Sequence, residues 1–338
     1  MKKIIFSFLL ILVSFSSRNY AADTLSTDYP FLRNIHFKCT VIHQPKTNIY
    51  VFIYSATNDI TNRGEICKIE IDISKSVQSE TLDTVGLRFA RPYIEREFRD
   101  DFHDFGDKVI PVSAAKLLNK SWDAAITERL TISISTIQFV KPGDTLSEIE
   151  LTSKGLPGVR RLTVKPWFDE TEFFPGIDDS MQIPWNFEKE DSIRNTVNYY
   201  GWTIGPTAPP INFVATVWCD TLLSYTRQSV QLGWLKTTRD DDCDEDEQPN
   251  DGIARNIEKR IEKAKKELMK GDSVKARKEL EKLVKKVERI YKKSEEAERK
   301  KHEREITMTS EAYALLKYNT EYLIERLPEK NRKKGGKE

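Results

Sequence analysis

Four histidines, four cysteines and 53 carboxylates are the side chains from which a reactive site in this 338-residue chain would be built. His36 and His43 lie seven apart. On one regular strand that odd spacing sends their side chains to opposite faces, so they cannot share a metal ion. His103 sits in the stretch Arg99 to Asp107, crowded by Asp100, Asp101, Asp104 and Asp107. Hard cations want several oxygens, but the spacing matches no EF-hand loop, and the stretch reads as a solvated acidic turn. Asp169, Glu170, Glu172, Asp178 and Asp179 read the same way. The residues therefore assign no catalytic group, no metal site and no cofactor.

Other chemistries leave equally little. No G-x-S-x-G elbow surrounds any serine, and neither G-x-G-x-x-G nor a P-loop is present. Paired carboxylates act through separation in space, so the 36 acids before Ile253 keep a secreted hydrolase as an alternative without singling out two of them. The cysteines form no C-x-x-C pair. Their even number is compatible with two disulfides. Cys39 and Cys67 lie in strand-like segments, while Cys219 and Cys243 would close a loop worth roughly 3 kcal/mol. Four cysteines allow three connectivities, and the spacing does not choose among them.

Large aromatics are the remaining candidates. Trp167, Phe168, Phe173, Phe174 and Trp185 crowd a loop-like stretch that also holds three prolines and several acids. A loop this aromatic either tucks its rings under a sheet or presents them to a partner. These five are the candidate ligand-contact residues.

The elements that would position them follow an export segment. Lys2 and Lys3 precede an apolar run from Ile4 to Phe15, and Tyr20-Ala21-Ala22 follows. That is the layout of a cleavable signal peptide over 1–22, and the run is shorter than the roughly 20 residues a membrane helix needs. No cysteine stands at the junction for lipid attachment, and Leu327-Pro328-Glu329-Lys330 is not a sortase signal. A secreted or periplasmic protein without a transmembrane segment is expected, and such a compartment would favour the disulfides.

Residues 23–210 read as a β-rich domain. Period-2 patterns run through His36 to Val41, Tyr50 to Tyr54, Ile66 to Ile73, Arg129 to Val140, Glu148 to Thr152 and Val159 to Lys165. Turns rich in Gly, Pro, Asn and Asp separate them, at Asn58 to Gly64, Lys141 to Asp144 and Gly155 to Gly158. Many short strands predict a sandwich-like fold. Residues 211–235 carry helical spacing after Pro209-Pro210, with Asn212 as the expected N-cap and an end near Gly233. Residues 236–251 form a linker in which Arg239 to Asp251 holds eight carboxylates.

Residues 252–328 read as an all-α module. Ile253, Ile257, Ile261, Ala264 and Leu268 make one stripe. Gly271-Asp272 stops that helix and caps the next, which buries Ala276, Leu280, Leu283, Val284, Val287 and Ile290. Ser294 to Glu305 is charged enough to continue that helix into solvent. A third helix starts at Thr309 or Ser310 with Ala312, Leu315, Leu316, Tyr322 and Leu323 inward, and 329–338 is expected to be disordered. From Ile253 onward there are 27 Lys and Arg against 17 Asp and Glu, a net of +10, which leaves a net of −9 before it. Glu interleaved with Lys reads first as the solvated faces of long helices. A basic interaction tail is the sharper alternative.

The pattern Gly271-Asp272, Ala276, Leu280 to Val287, Ile306, Ser310 to Leu316 and Tyr318-Asn319 resembles the FIMAH-like helical tails of secreted bacterial proteins. Trp122, Pro142-Gly143, Leu156-Pro157-Gly158, Trp202 and Pro209-Pro210 are similar to uncharacterised exported bacterial β-domains. The long acidic linker and the charged stretch from Lys292 to Arg304 depart from that pattern. The resemblance implies a secreted bacterial protein and no activity. The expected function is non-catalytic binding or scaffolding toward an envelope or extracellular polymer or protein. The alternatives are the hydrolase and a polyanion or membrane-surface binder acting through the basic helices. Nucleic acid is not an expected partner, because the basic clusters lack interleaved aromatics.

Overall fold

A computed structural model describes residues 30–73, 116–117, 122–126, 131–167, 196–207, 209–210, 212–236, 252–302 and 306–328. Residues 1–29, the stretch around His103, the acidic residues 240–251 and the tail 329–338 lie outside the described residues. Within them, antiparallel sheets come first and helices follow, a β-sandwich-like part with an all-α part behind it.

Nine strands are described: β1 Ile35–Gln44, β2 Ile49–Asn58, β3 Ile66–Asp72, β4 Lys116–Leu117, β5 Trp122–Ile126, β6 Thr131–Val140, β7 Thr145–Ser153, β8 Leu156–Pro166 and β9 Tyr199–Thr207. One sheet has the order β1-β2-β7-β4 and the other β5-β6-β3-β8-β9. Alternation decides which side chains face inward. In the first sheet Cys39 pairs with Tyr54 and Val41 with Phe52, and all four are buried. In the second, Ile69 sits between Ile134 and Val164, and Ile71 between Ile132 and Leu162. Each such side chain contributes roughly 1.5–3 kcal/mol by leaving water. The Tyr54 hydroxyl crosses the interior and donates to the Ile204 carbonyl at 3.0 Å, tying one sheet to the other.

Two local readings are corrected. Leu156, Pro157 and Gly158 are not turn residues; they open β8 and pair with Thr207, Pro206 and Gly205, so the chain passes from β7 in one sheet to β8 in the other at Lys154 and Gly155. The expected N-cap Asn212 lies outside the helix that follows, whose cap is Val214 with no side-chain hydrogen bond.

The helices are α1 Ala215–Gln231, α2 Ile253–Met269, α3 Ser273–Arg299 and α4 Ser310–Arg326. Gly233 and Gly271 both take positive φ, of 71° and 78°, where the chain must reverse out of α1 and α2. Asp272 then caps α3 by accepting the Lys275 amide at 2.9 Å. Ser294 and Ala297, expected on a stretch running into solvent, are buried instead. The reason is a return of the chain: Ser294 Oγ accepts the amides of Thr307 and Met308 at 3.1 and 3.0 Å.

Helix α4 is buried on nearly every side, including Glu311, Asn319 and Thr320. It packs against α1 and α3 and, on the other side, against β1, β8 and β9, where the edge strands of the two sheets come together. Sheets and helices therefore share one continuous apolar core. Polar side chains of α4 reach strand backbone: Tyr318 Oη donates to Val41 O at 3.0 Å and Asn319 Nδ2 to Pro157 O at 2.9 Å. Asn319 in turn presents its own carbonyl to the Trp218 indole at 2.9 Å.

Candidate functional site

Trp167 follows β8 directly, and its amide donates to Glu65 O at 2.9 Å, which anchors its backbone beside the start of β3. Its ring is 50% exposed and stacks on Phe139 of β6, with centroids 5.5 Å apart and planes 25° from parallel. The pair forms a small aromatic face fixed to two strands of one sheet. Phe168, Phe173, Phe174 and Trp185 lie outside the described residues. Sequence reasoning passed over Phe139, whose signal was its place at the end of the cleanest alternating strand.

A second surface feature lies on the same sheet. Arg161 of β8 and Trp202 of β9 are register partners, and the guanidinium stands 5.8 Å from the indole centroid. Next to it, Glu70 accepts from Lys165 and Lys68 at 2.8 and 2.9 Å. Burial pushes the Glu70 carboxyl up, but the two ammonium groups outweigh it and hold it below the usual range.

The described cysteines do not pair. Cys39, Cys67 and Cys219 are free thiols, so the bridge considered between Cys39 and Cys67 is absent; Cys243 lies outside the described residues. The strands explain it. Cys39 is an inward residue of the first sheet, packed beside Tyr54, whereas Cys67 sits at a register shift of β3 in the second. Burial pushes the Cys67 thiol up to about 11 and that of Cys219 up to about 12, and it raises the Cys39 thiol as well. All three are therefore protonated, poorly nucleophilic thiols at neutral pH.

Arg160 is the largest fully buried side chain. Room for it comes from Gly205, whose register partner Gly158 leaves room for Thr207. A Cβ on Gly205 would lie 3.1 Å from Arg160 Cγ, and one on Gly158 would lie 1.9 Å from Thr207 Oγ1. Arg160 Nη2 donates to Pro206 O at 2.5 Å and to Thr207 Oγ1 at 2.9 Å, while Nε and Nη1 have no acceptor. Burial lowers its pKa to about 10, against the opposing pull of Tyr225, Asp72 and Tyr54. Its hydrogen bonds go to the backbone and a hydroxyl of β9, so it acts as a strand-to-strand tie.

Among the described residues no group of three or more His, Cys, Asp or Glu could hold a metal ion. His36 meets Asp59 at 3.3 Å on the surface, and His43 stacks on Tyr50 at 4.4 Å. Glu311 is the most deeply buried acid whose pKa is raised, and burial is the main cause. Its Oε1 is occupied by the Cys39 amide at 2.7 Å. A cleft of about 600 Å³ opens beside the bridge between Leu235 and Met308, lined by Trp234, Lys236, Glu298 and Lys301. Among the described residues its one carboxylate is Glu298, engaged by Lys38 at 2.6 Å. These features hold the fold together; they do not place two acids at a reacting centre.

No described helix is long and apolar enough to cross a membrane. Comparison with known proteins finds no matching family model, no similar curated protein and no similar solved structure.

Proposed function

We infer that this chain is an exported binding or scaffolding protein of the extracellular space or cell envelope. The observation that carries the reading is the Phe139–Trp167 pair. It leaves half of a large ring in water on a face fixed by strand pairing and by the Trp167 amide. A stacked, preformed aromatic face loses little side-chain entropy when a flat apolar surface, such as the face of a sugar ring, settles on it. The shared core of sheets and helices supports the scaffolding part of the reading, because surfaces on the two layers keep a fixed relation. The export segment at 1–22 supports the location.

The test is a binding panel with the full mature chain: insoluble polysaccharides, purified cell envelope and extracellular-matrix protein, with Trp167→Ala and Phe139→Ala beside the parent. Retention of the parent by one member, reduced about tenfold in each variant at unchanged melting temperature, is expected; one such anchor is worth about 1.4 kcal/mol or more. A parent that binds nothing on the panel overturns the reading.

A further inference from the structure

Five cations of α3 fall on one line. Lys278, Lys282, Lys285, Arg289 and Lys292 follow each other at steps of four, three, four and three, and every one is exposed. At 1.5 Å per residue the line runs for about 21 Å, with a charge roughly every 5 Å. Interleaved acids usually neutralise such a face. Here the neighbouring acids are turned to other partners. Glu281 meets Arg277 at 3.3 Å, and Glu288 meets Lys317 of α4 at 2.7 Å. Glu279 is clamped between Lys263 of α2 and Lys282, at 3.2 and 3.1 Å. Among the described residues, Lys278, Lys285, Arg289 and Lys292 have no ion pair. The line ends at Glu296, the next exposed position on that face.

We propose that this line on α3 is a docking surface for an extended, base-free polyanion, specifically a linear acidic polysaccharide bearing sulfate or carboxylate groups. The complementarity is that of charge and shape. A straight row of flexible ammonium and guanidinium groups on a convex helix fits a rod with regularly spaced anions, and releasing that rod's counterions supplies the affinity. Two other polyanions fit less well. Single-stranded nucleic acid is held by rings that stack its bases, and the one ring on α3, Tyr291, is turned inward and stacked on Tyr313 at 4.1 Å. An anionic membrane needs an apolar flank to bury in the interface, and Met269 is the one large hydrophobic strongly exposed on α2 or α3. The proposal deepens the binding reading by naming a partner class, but it uses a different layer of the molecule from the aromatic pair.

The experiment uses the full mature chain with four probes: heparin, alginate, oligo(dT), and phosphatidylcholine vesicles containing about one-third phosphatidylglycerol. The test variant is Lys278→Gln/Lys285→Gln/Arg289→Gln/Lys292→Gln. A control, Lys46→Gln/Arg63→Gln/Lys141→Gln/Lys154→Gln, removes the same charge from exposed positions of the sandwich. The parent is expected to bind heparin or alginate, with affinity falling roughly fiftyfold between about 50 and about 200 mM salt for four contacts. The test variant is expected to lose about tenfold or more and to flatten that salt dependence, while the control changes less than about threefold. Circular dichroism and melting confirm that both variants fold. The proposal is overturned if the parent binds neither polysaccharide, if the control loses as much as the test variant, or if oligo(dT) or the vesicles bind more tightly. Trp167→Ala in the same assay separates the two readings: a loss that keeps the parent's salt dependence belongs to the aromatic pair, whereas a loss that flattens it in the α3 variant belongs to the line.

Discussion

The carboxylate of Glu311, at the start of α4, accepts the backbone amide of Cys39 in β1 at 2.7 Å. β1 is an edge strand, and an edge strand presents unpaired amides and carbonyls that invite further pairing. Two residues along, Tyr318 of the same helix donates to Val41 O at 3.0 Å. A helix thus finishes the hydrogen bonding of a sheet edge with side chains where another strand would have used backbone.

Glu311→Ala strands the Cys39 amide in the core and is expected to destabilise the protein by about 1–3 kcal/mol. Glu311→Gln keeps an acceptor oxygen there and removes the buried charge. Burial raises the Glu311 carboxyl above its ordinary value. The fold therefore prefers the protonated form, and this group's contribution to stability falls as pH rises from the ordinary value to the folded one, then stays flat. Urea midpoints across that range should show Glu311→Gln gaining on the parent as pH rises. A constant difference would refute the assignment.

Glu70 has the opposite sign. Its depressed carboxyl contributes stability above the ordinary carboxylate range and loses it as pH falls through the folded value. Glu70→Gln should lower the urea midpoint at neutral pH, and the gap from the parent should close in acid.

Asn319 connects three elements, through Pro157 O, Leu315 O and the Trp218 indole on its own carbonyl. Asn319→Ala removes the side-chain links and leaves buried carbonyls short of a donor, at about 1–3 kcal/mol. Chemical unfolding followed by tryptophan fluorescence measures this loss; an unchanged midpoint would show that the link to β8 is dispensable.

The free thiols predict slow chemistry. Iodoacetamide at neutral pH should leave Cys39 and Cys219 unmodified in the folded chain and label them after urea is added. Peptide mass mapping reads the result, and rapid labelling of the native chain would contradict their burial.

The helical stripes were legible because residues such as Ile257, Ile261 and Ala264 repeat at 3.6 spacing and are buried as that repeat requires. So was the Gly271-Asp272 boundary, which follows from local chemistry. Strand β9 was not, because Gly201, Gly205 and Pro206 break any alternation; Gly205 is there for the stem of Arg160, a neighbour 45 positions earlier in the chain. The depth of α4 was hidden as well, since Glu311, Asn319 and Thr320 look like a solvent face until their distant partners are known. For the candidate surfaces, composition revealed Trp167 but not the Phe139 beneath it. The lysines of α3 were visible, while the diversion of Glu288 to Lys317 and of Glu279 to Lys263 depends on packing between helices.

The amide of Cys39 and its acceptor are 272 positions apart. During synthesis, β1 leaves the ribosome long before α4 exists, so the nascent sandwich carries an open edge until the 272 positions up to Glu311 have been made. Closure is a late, non-local event that carries the full entropy of a very long loop. A chain cut short before Ser310 loses the side chains that seal this edge, and truncation is expected to favour strand-to-strand self-association.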